Sequence, residues 1–139
     1  MINMIGNVWK RGTGDHHYTE MDYAPYYESD TYTKSKLAQE SQVRLYLDLI
    51  NKEPSRYQVE IVTLHPSSVF GPTFIDECSG SIEGIVKIMR RDVPGIPEMW
   101  LPCIDVRDCT EAHIKALLAA PGKLHGQRIL LNADSFQMR

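Results

Sequence analysis

The sequence predicts an α/β protein built on a parallel sheet, and two patterns in the chain carry this prediction. Segments with the period of a helix alternate along the chain with short apolar segments that suit strands. Residues 57–64 change from alternating to continuously apolar, which is typical of a strand covered on both faces. With 139 residues, 42% of them hydrophobic and 24% charged, the chain has the size and composition of a single globular domain.

The first predicted helix spans residues 31–51, a run that contains neither Gly nor Pro. Its apolar side chains recur at helical spacing, and Asp30 directly before it is a candidate N-cap. Residues 1–29 show no sustained period and are rich in aromatic residues, so they are predicted to form an irregular surface segment. After the helix we expect a strand over residues 57–64, which ends in a turn at residues 65–66.

A loop is predicted over residues 65–81, where Gly, Pro and Ser recur. The second helix follows it with Ser81 as its candidate N-cap, and Pro94 is the first of the residues that end this helix. A strand over residues 99–106 is weakened by Pro102, because proline cannot donate a hydrogen bond to a neighbouring strand.

The third helix is predicted to open at Asp108, since Asp108 and Glu111 have the D-x-x-E spacing of a capping box. We expect this helix to continue to Ala120, where the following Pro and Gly close it. The last strand is predicted over residues 128–132, and the tail beyond it is expected to be frayed.

Charge and cysteine content exclude several classes of function. The net charge is −3 and no block of Lys or Arg occurs, so we expect neither a nucleic-acid nor a membrane partner. No apolar stretch is long enough to span a bilayer. Cys78, Cys103 and Cys109 are odd in number and lie in no C-x-x-C spacing, which predicts reduced thiols and no metal site. A soluble cytoplasmic protein is the expectation.

Tyr32 and Lys36 form the most informative constellation in the sequence. Residues four apart on a helix share a face, so the phenol and the ammonium are predicted to lie together. An ammonium held close to a phenol lowers the phenol's pKa, which makes it a usable proton donor and acceptor near neutral pH. The same spacing also occurs on ordinary solvated helix faces, and the pair alone favours that interpretation.

Three segments, taken in order, resemble the extended short-chain dehydrogenase/reductase superfamily, also called the NAD-dependent epimerase/dehydratase family. Residues 32–40 read Y-T-K-S-K-L-A-Q-E and resemble its Y-x-x-S-K-x-x-A-E segment. Residues 65–72 read H-P-S-S-V-F-G-P and follow a predicted strand, as this superfamily expects. Residues 104–113 contain D-V-R-D-C-T-E-A-H, which resembles the D-V-R-D-x-x-x-A-H block of the dihydroflavonol 4-reductase and cinnamoyl-CoA reductase branch.

The resemblance implies a partial Rossmann-type parallel sheet with a small substrate-binding part, and a reductase that uses NADP, with NAD as the alternative. It implies that Tyr32 is the catalytic acid/base and that Lys36 supports it and binds the nicotinamide ribose. The remaining implied cofactor contacts are the loop residues Pro66, Ser67, Ser68 and Val69 beside the nicotinamide, and Ser79 or Ser81 at the phosphates.

The chain departs from the superfamily at its beginning. The glycine-rich strand-turn-helix that holds the pyrophosphate is not found, and the place of the catalytic Ser or Thr falls close to Met1 or ahead of it. The resemblance therefore implies that residues 1–139 form one domain corresponding to the C-terminal part of an extended reductase. We expect this chain by itself to be inactive.

Two further interpretations remain open on the sequence. A sugar-nucleotide epimerase or dehydratase would share the Tyr and Lys of residues 32–40 and would bind UDP-sugars. A truncated, non-catalytic relative could instead act as an interaction module. The resemblance also implies a homodimer formed through the helix that carries Tyr32 and Lys36, with Val43, Leu47 and Ile50 as the expected exposed contacts.

Overall fold

The structure of the protein is a computed structural model that describes residues 18–54, 56, 59–74, 80–96 and 98–138. A short 3-10 helix, Tyr26–Glu28, precedes the first long helix. The elements then follow in this order: α1 (Thr31–Lys52), β1 (Thr63–Pro66), β2 (Ser68–Phe70), α2 (Ser81–Met89), β3 (Met99–Asp105), α3 (Val106–Leu117), β4 (Arg128–Leu131) and β5 (Asp134–Met138).

The strands form two small sheets, and parallel pairing occurs in both. In the first sheet β1 lies parallel to β4, with Thr63 opposite Arg128 and Pro66 opposite Leu131. In the second sheet β3 is central, parallel to β2 on one side and antiparallel to β5 on the other. Helix α2 packs against β2, and α3 packs against β2 and β3. The predicted α/β class with parallel strands is confirmed.

Helix α1 matches its prediction to within one residue at its C-terminal end. Asp30 accepts a hydrogen bond from the Thr33 backbone N–H at 2.7 Å, which satisfies one of the unpaired donors of the first turn. The helix ends at Lys52, directly before Glu53 and Pro54. The N-cap and the helix it opens are confirmed.

The predicted strand over residues 57–64 is wrong in position. Its first two residues lie outside the described residues, and pairing begins only at Thr63 and continues through Pro66, where a turn was expected. The backbone of Ile61 is already engaged, because its N–H donates to His125 Nδ1 at 3.2 Å and its C=O accepts from the Gly126 N–H at 2.7 Å. The turn before β4 thus takes the place of a partner strand, and no ladder forms at residues 59–62.

Two helix starts also differ from the sequence prediction. Helix α3 begins at Val106, because Asp105 at the end of β3 caps it by accepting from the Arg107 backbone N–H at 2.8 Å. Asp108 therefore lies inside the first turn, and the helix ends at Leu117 rather than at Ala120. Ser81 is the first residue of α2 and not its N-cap; that position belongs to Gly80, whose φ of +61° suits glycine.

The chain beyond β4 is also more ordered than expected. Residues 134–138 form β5, which pairs antiparallel with β3 and satisfies the backbone groups along that edge. The frayed tail is therefore a wrong prediction, and the strand 128–132 is one residue shorter than expected. Pro102 lies within β3, opposite Ser135 of β5.

The apolar residues of α1 are distributed differently from the expectation. Ile50 is buried, and Val43 and Leu47 are half-buried, so these three side chains face the molecule and are not an exposed surface. The large apolar side chains that α1 exposes in its second half are Leu45, Tyr46 and Leu49. Among the helices of the described part, none is long and apolar enough to cross a bilayer.

Candidate functional site

Tyr32 and Lys36, called here the Tyr–Lys pair, lie together on the first two turns of α1. The Lys36 Nζ is 5.6 Å from the centroid of the Tyr32 ring, a distance at which the cation is attracted to the ring. Lys36 also donates to Gln39 Oε1 at 3.2 Å, and the Tyr32 side chain is 55% exposed. The two residues predicted to be catalytic are therefore adjacent and open to a ligand.

The direction of α1 determines where the Tyr–Lys pair lies relative to the sheet. Near the end of α1, Asn51 Oδ1 lies 3.2 Å from Nε2 of His125, which precedes β4, whereas Glu40 contacts Arg128 at the start of β4. The helix thus runs opposite to β4. At a rise of about 1.5 Å per residue, the pair lies about 6 to 12 Å beyond Glu40, toward the carboxyl ends of β1 and β4. Ligands of open α/β sheets bind at this edge.

The predicted cofactor-binding loop begins at the same edge. Pro66 ends β1, and the Ser67 backbone N–H donates to the Leu131 C=O at 2.9 Å. Ser68 and Val69 are not in a loop, because both belong to β2 and lie opposite residues of β3. The structure therefore brings Pro66 and Ser67 to the edge where the Tyr–Lys pair lies and assigns Ser68 and Val69 to the second sheet. Ser79 lies outside the described residues.

A buried ion pair that the sequence analysis did not identify joins α1 to the sheet. The side chains of Glu40 and Arg128 are 7% and 11% exposed. The guanidinium Nε donates to Glu40 Oε1, and one terminal guanidinium nitrogen donates to Glu40 Oε2 at 3.3 Å. His65 Nε2 on β1 lies 4.0 Å from the same carboxylate. Two sequence signals pointed to Glu40: it ends the segment of residues 32–40 that resembles the superfamily, and it shares the helix face of the Tyr–Lys pair, four residues after Lys36.

Arg128 also fastens the segment that precedes α1. One guanidinium nitrogen donates to the backbone carbonyls of Glu20 and, at 3.0 Å, Asp22. The guanidinium lies 3.9 Å from the Tyr23 ring centroid, and Arg44 of α1 lies 4.3 Å from the same ring. The segment 20–23 is thus held between β4 and α1.

An exposed aromatic surface lies directly before α1. Tyr26 and Tyr27 meet edge to face, with ring centroids 5.8 Å apart and an interplanar angle of 89°. Lys34 Nζ is 5.7 Å from the Tyr26 ring, and Tyr27 is 93% exposed. This surface offers apolar contact area with the Lys34 ammonium beside it.

Asp105 and Arg107 pair with each other at the start of α3. Both guanidinium contacts of Arg107 go to the Asp105 carboxylate, at 2.8 and 2.6 Å. Hydrogen bonds from the Arg107 side chain and backbone lower the pKa of Asp105 to about 2. The carboxylate therefore stays charged and caps α3.

Two other observations concern ligands. No group of three or more His, Cys, Asp or Glu residues in the described ranges is arranged to hold a metal ion. A cleft of about 420 Å³ lies between residues 60–64 and α3, and its polar side chains are Glu60, His113 and His125. This cleft is at the amino end of β1, opposite the edge that carries the Tyr–Lys pair.

The fold is shared with known reductases. One similar solved structure is a reductase engineered to attenuate substrate inhibition in asymmetric catalysis. Its sequence is 23% identical to this chain, and the superposition covers 98% of this chain and 43% of the reductase with a TM-score of 0.73. Yeast methylglyoxal/isovaleraldehyde reductase Gre2, complexed with NADPH, is 21% identical over 86% of this chain and 35% of its own, with a TM-score of 0.55. This chain therefore has a partial Rossmann-type fold.

The sequence comparisons add no family assignment. No protein-family model matches the chain, and no curated protein matches it. The chain spans about two fifths of the length of the two reductases that share its fold.

Proposed function

We propose that this chain carries the Tyr–Lys part of the active site of an NADP(H)-dependent carbonyl reductase, of the dihydroflavonol 4-reductase-like branch of the extended short-chain dehydrogenase/reductases. The observation that carries the proposal is the exposed phenol with an ammonium 5.6 Å from its ring, at the carboxyl edge of a parallel sheet. The shared fold with two reductases, one of them bound to NADPH, supports the reaction class and the cofactor.

The residues at this edge fit a nicotinamide cofactor. An ammonium has three donors and no acceptor, so Lys36 can bind the ribose hydroxyls while it remains close to Tyr32. Pro66 and Ser67 border the same edge. Bound NADPH would supply the hydride that adds to the substrate carbonyl carbon.

Tyr32 then acts as the general acid. Its hydroxyl donates a proton to the carbonyl oxygen as that oxygen gains negative charge, and the carbonyl becomes an alcohol. The phenolate that remains is stabilised by the Lys36 ammonium beside it, and solvent returns the proton because the ring is exposed. The reverse direction uses the same two side chains with the phenolate as base.

The aromatic surface of Tyr26 and Tyr27 contacts α1 at Lys34, two residues after Tyr32. Rings of this size provide large contact areas at low entropic cost. Within this function we expect a cytoplasmic protein.

A binding measurement on matched lysine variants tests the proposal. Lys36→Ala removes the ammonium of the Tyr–Lys pair, whereas Lys34→Ala removes a neighbouring cation that lies on Tyr26. We expect NADPH to give a saturable signal in saturation-transfer NMR with the wild type and with Lys34→Ala. The Kd should increase at least about tenfold in Lys36→Ala, since a charge-assisted contact contributes about 1.5 to 3 kcal/mol.

The outcomes separate the competing interpretations. Equal NADPH binding by Lys36→Ala and the wild type would contradict the proposed role of Lys36. Saturable binding of a UDP-sugar in place of NADPH would replace the reductase with a sugar-nucleotide epimerase or dehydratase. A folded wild type that binds neither compound would leave the interaction-module interpretation.

We also propose that two copies associate through α1, with its exposed Leu45, Tyr46 and Leu49 as the contact surface. Tyr46→Glu places a charge on this surface and should convert a dimer into a monomer in sedimentation equilibrium. A wild type that is monomeric at high concentration would refute this association.

A further inference from the structure

His65 is the most unusual buried side chain among the described residues. It is 3% exposed, and neither of its ring nitrogens has a hydrogen-bond partner there. Ser67, two residues along and directly after β1, is also buried with an unpartnered hydroxyl. Unpaired buried polar groups cost free energy, so two of them together indicate a role beyond packing.

The charged groups around His65 come from the elements packed against β1. Glu40 of α1 is nearest, with Oε1 4.0 Å from His65 Nε2. Arg128 of β4 contacts both oxygens of that carboxylate and also donates to the backbone carbonyl of Glu20. With a neutral imidazole the Glu40–Arg128 pair has no net charge. Protonation of His65 adds one positive charge to a site with almost no contact with water.

A protonated imidazole is disfavoured in the arrangement seen here. It would have two N–H donors, but only Nε2 faces a carboxylate, at 4.0 Å, and the charge of that carboxylate is already balanced by Arg128. The other nitrogen would keep a buried, unpaired donor. Water can reach both nitrogens only if the contact between α1 and β1 opens.

We propose that His65 is a positioning residue: while its imidazole is neutral, the first turns of α1, which carry Tyr32 and Lys36, stay packed against the sheet, and protonation of the imidazole releases them. The effect passes through Glu40, which lies one helical turn from Lys36 on the same face. The consequence of this effect for catalysis rests on the proposed function, because Lys36 binds the cofactor in that function. The release itself is a property of the fold.

The electrostatic environment agrees with this geometry. Burial lowers the pKa of His65 below its usual value, Glu40 raises it, and Arg128 lowers it again. The neutral form is therefore the one that the folded state prefers. In the opened state, where water reaches the ring, the imidazole regains an ordinary pKa near about 6.5.

Amide hydrogen exchange in α1, measured without cofactor, tests the proposal. An imidazole with a pKa near about 6.5 is about one-tenth protonated at pH 7.5 and about nine-tenths protonated at pH 5.5. Opening that exposes His65 should therefore become more frequent at the lower pH, by up to about tenfold. The protection factors of α1 residues 32–40, corrected for intrinsic exchange, should decrease by that factor, and those of α3 should not.

Substitutions at two histidines assign the effect. His65→Gln cannot titrate and should give a flat profile; His65→Asn serves the same purpose if the first variant does not fold. His113→Gln is the matched control, because His113 is exposed on α3 and bonded to the Cys109 carbonyl, and it should keep the wild-type profile.

A flat wild-type profile would overturn the proposal, and so would a pH dependence that persists in both His65 variants. Equal loss of protection in α1 and α3 would also overturn it, because that pattern indicates global unfolding. NADPH binding by the lysine variants is measured separately. If the proposed function is wrong but the role of His65 is correct, the protein will not bind NADPH, while the pH dependence of protection in α1 will still require His65.

Discussion

Glu40→Gln is the substitution whose effect follows most directly from the structure. It keeps the volume of the side chain and one carbonyl oxygen, but it removes the negative charge that faces Arg128. The guanidinium then remains 11% exposed with its charge uncompensated, and the new amide group turns a donor toward another donor. The two backbone carbonyls that accept from Arg128 stay in place and reduce the decrease in stability.

The expected cost is about 3 kcal/mol, because breaking a buried ion pair by removing one partner costs about 3 to 5 kcal/mol. For a domain of this size, that corresponds to a decrease in Tm of about 10 °C. Glu111→Gln is the matched control: its partner Lys115 is 2.7 Å away, but both side chains are exposed. An exposed i,i+4 pair of this kind contributes only about 0.3 to 0.5 kcal/mol.

Urea unfolding at neutral pH measures both variants on the same scale. The double variant Glu40→Met/Arg128→Met should cost less than the sum of the two single changes, since it leaves no lone charge. Equal decreases in the free energy of unfolding for Glu40→Gln and Glu111→Gln would contradict this prediction, because they would mean that burial of the Glu40–Arg128 pair has no energetic consequence.

Two other changes test local features of the fold. Gly71→Ala should destabilise the protein by about 1 to 3 kcal/mol in urea unfolding, since φ is +145° and the new Cβ would lie 2.5 Å from Val106 Cγ1. Gly84→Ala in α2 meets no atom within 4 Å and should stabilise by about 0.5 to 1 kcal/mol. Asp105 has a pKa of about 2 in the folded protein, below the ordinary aspartate value of 3.8. The stability that it contributes is therefore complete above the ordinary value and is lost as pH falls toward about 2. Asp105→Asn should therefore reduce the pH dependence of the free energy of unfolding between about pH 4 and pH 2, and an unchanged pH dependence would contradict this prediction. Equal changes in the free energy of unfolding for Gly71→Ala and Gly84→Ala would contradict the glycine predictions.

Local patterns were sufficient to predict α1 and the Tyr–Lys pair. The Asp30 cap and the absence of Gly and Pro act within a few residues, so the helix could be predicted to within one residue. The i,i+4 spacing then fixes the distance between the phenol and the ammonium. These features depend on neighbours along the chain and not on the rest of the fold.

The strand positions could not be predicted in the same way. An apolar run at residues 57–64 indicates burial but not which residues find a partner, and the turn around Gly126 occupies the backbone of Ile61. The tail at residues 134–138 has no strong strand pattern, and it pairs because β3 offers an open edge. Pairing partners, rather than propensity, decided both cases.

The α/β class, the first helix and the spacing of the Tyr–Lys pair follow from local sequence, because each depends on residues a few positions apart. Packing of the whole chain brings Pro66 and Ser67 to the edge of that pair, while Ser68 and Val69 enter a second sheet. It alone joined Glu40 to Arg128 across 88 residues and left His65 buried beside them. The reason is physical: an ion pair or an unpaired imidazole gains its energetic importance from burial, and burial is a property of the packed chain.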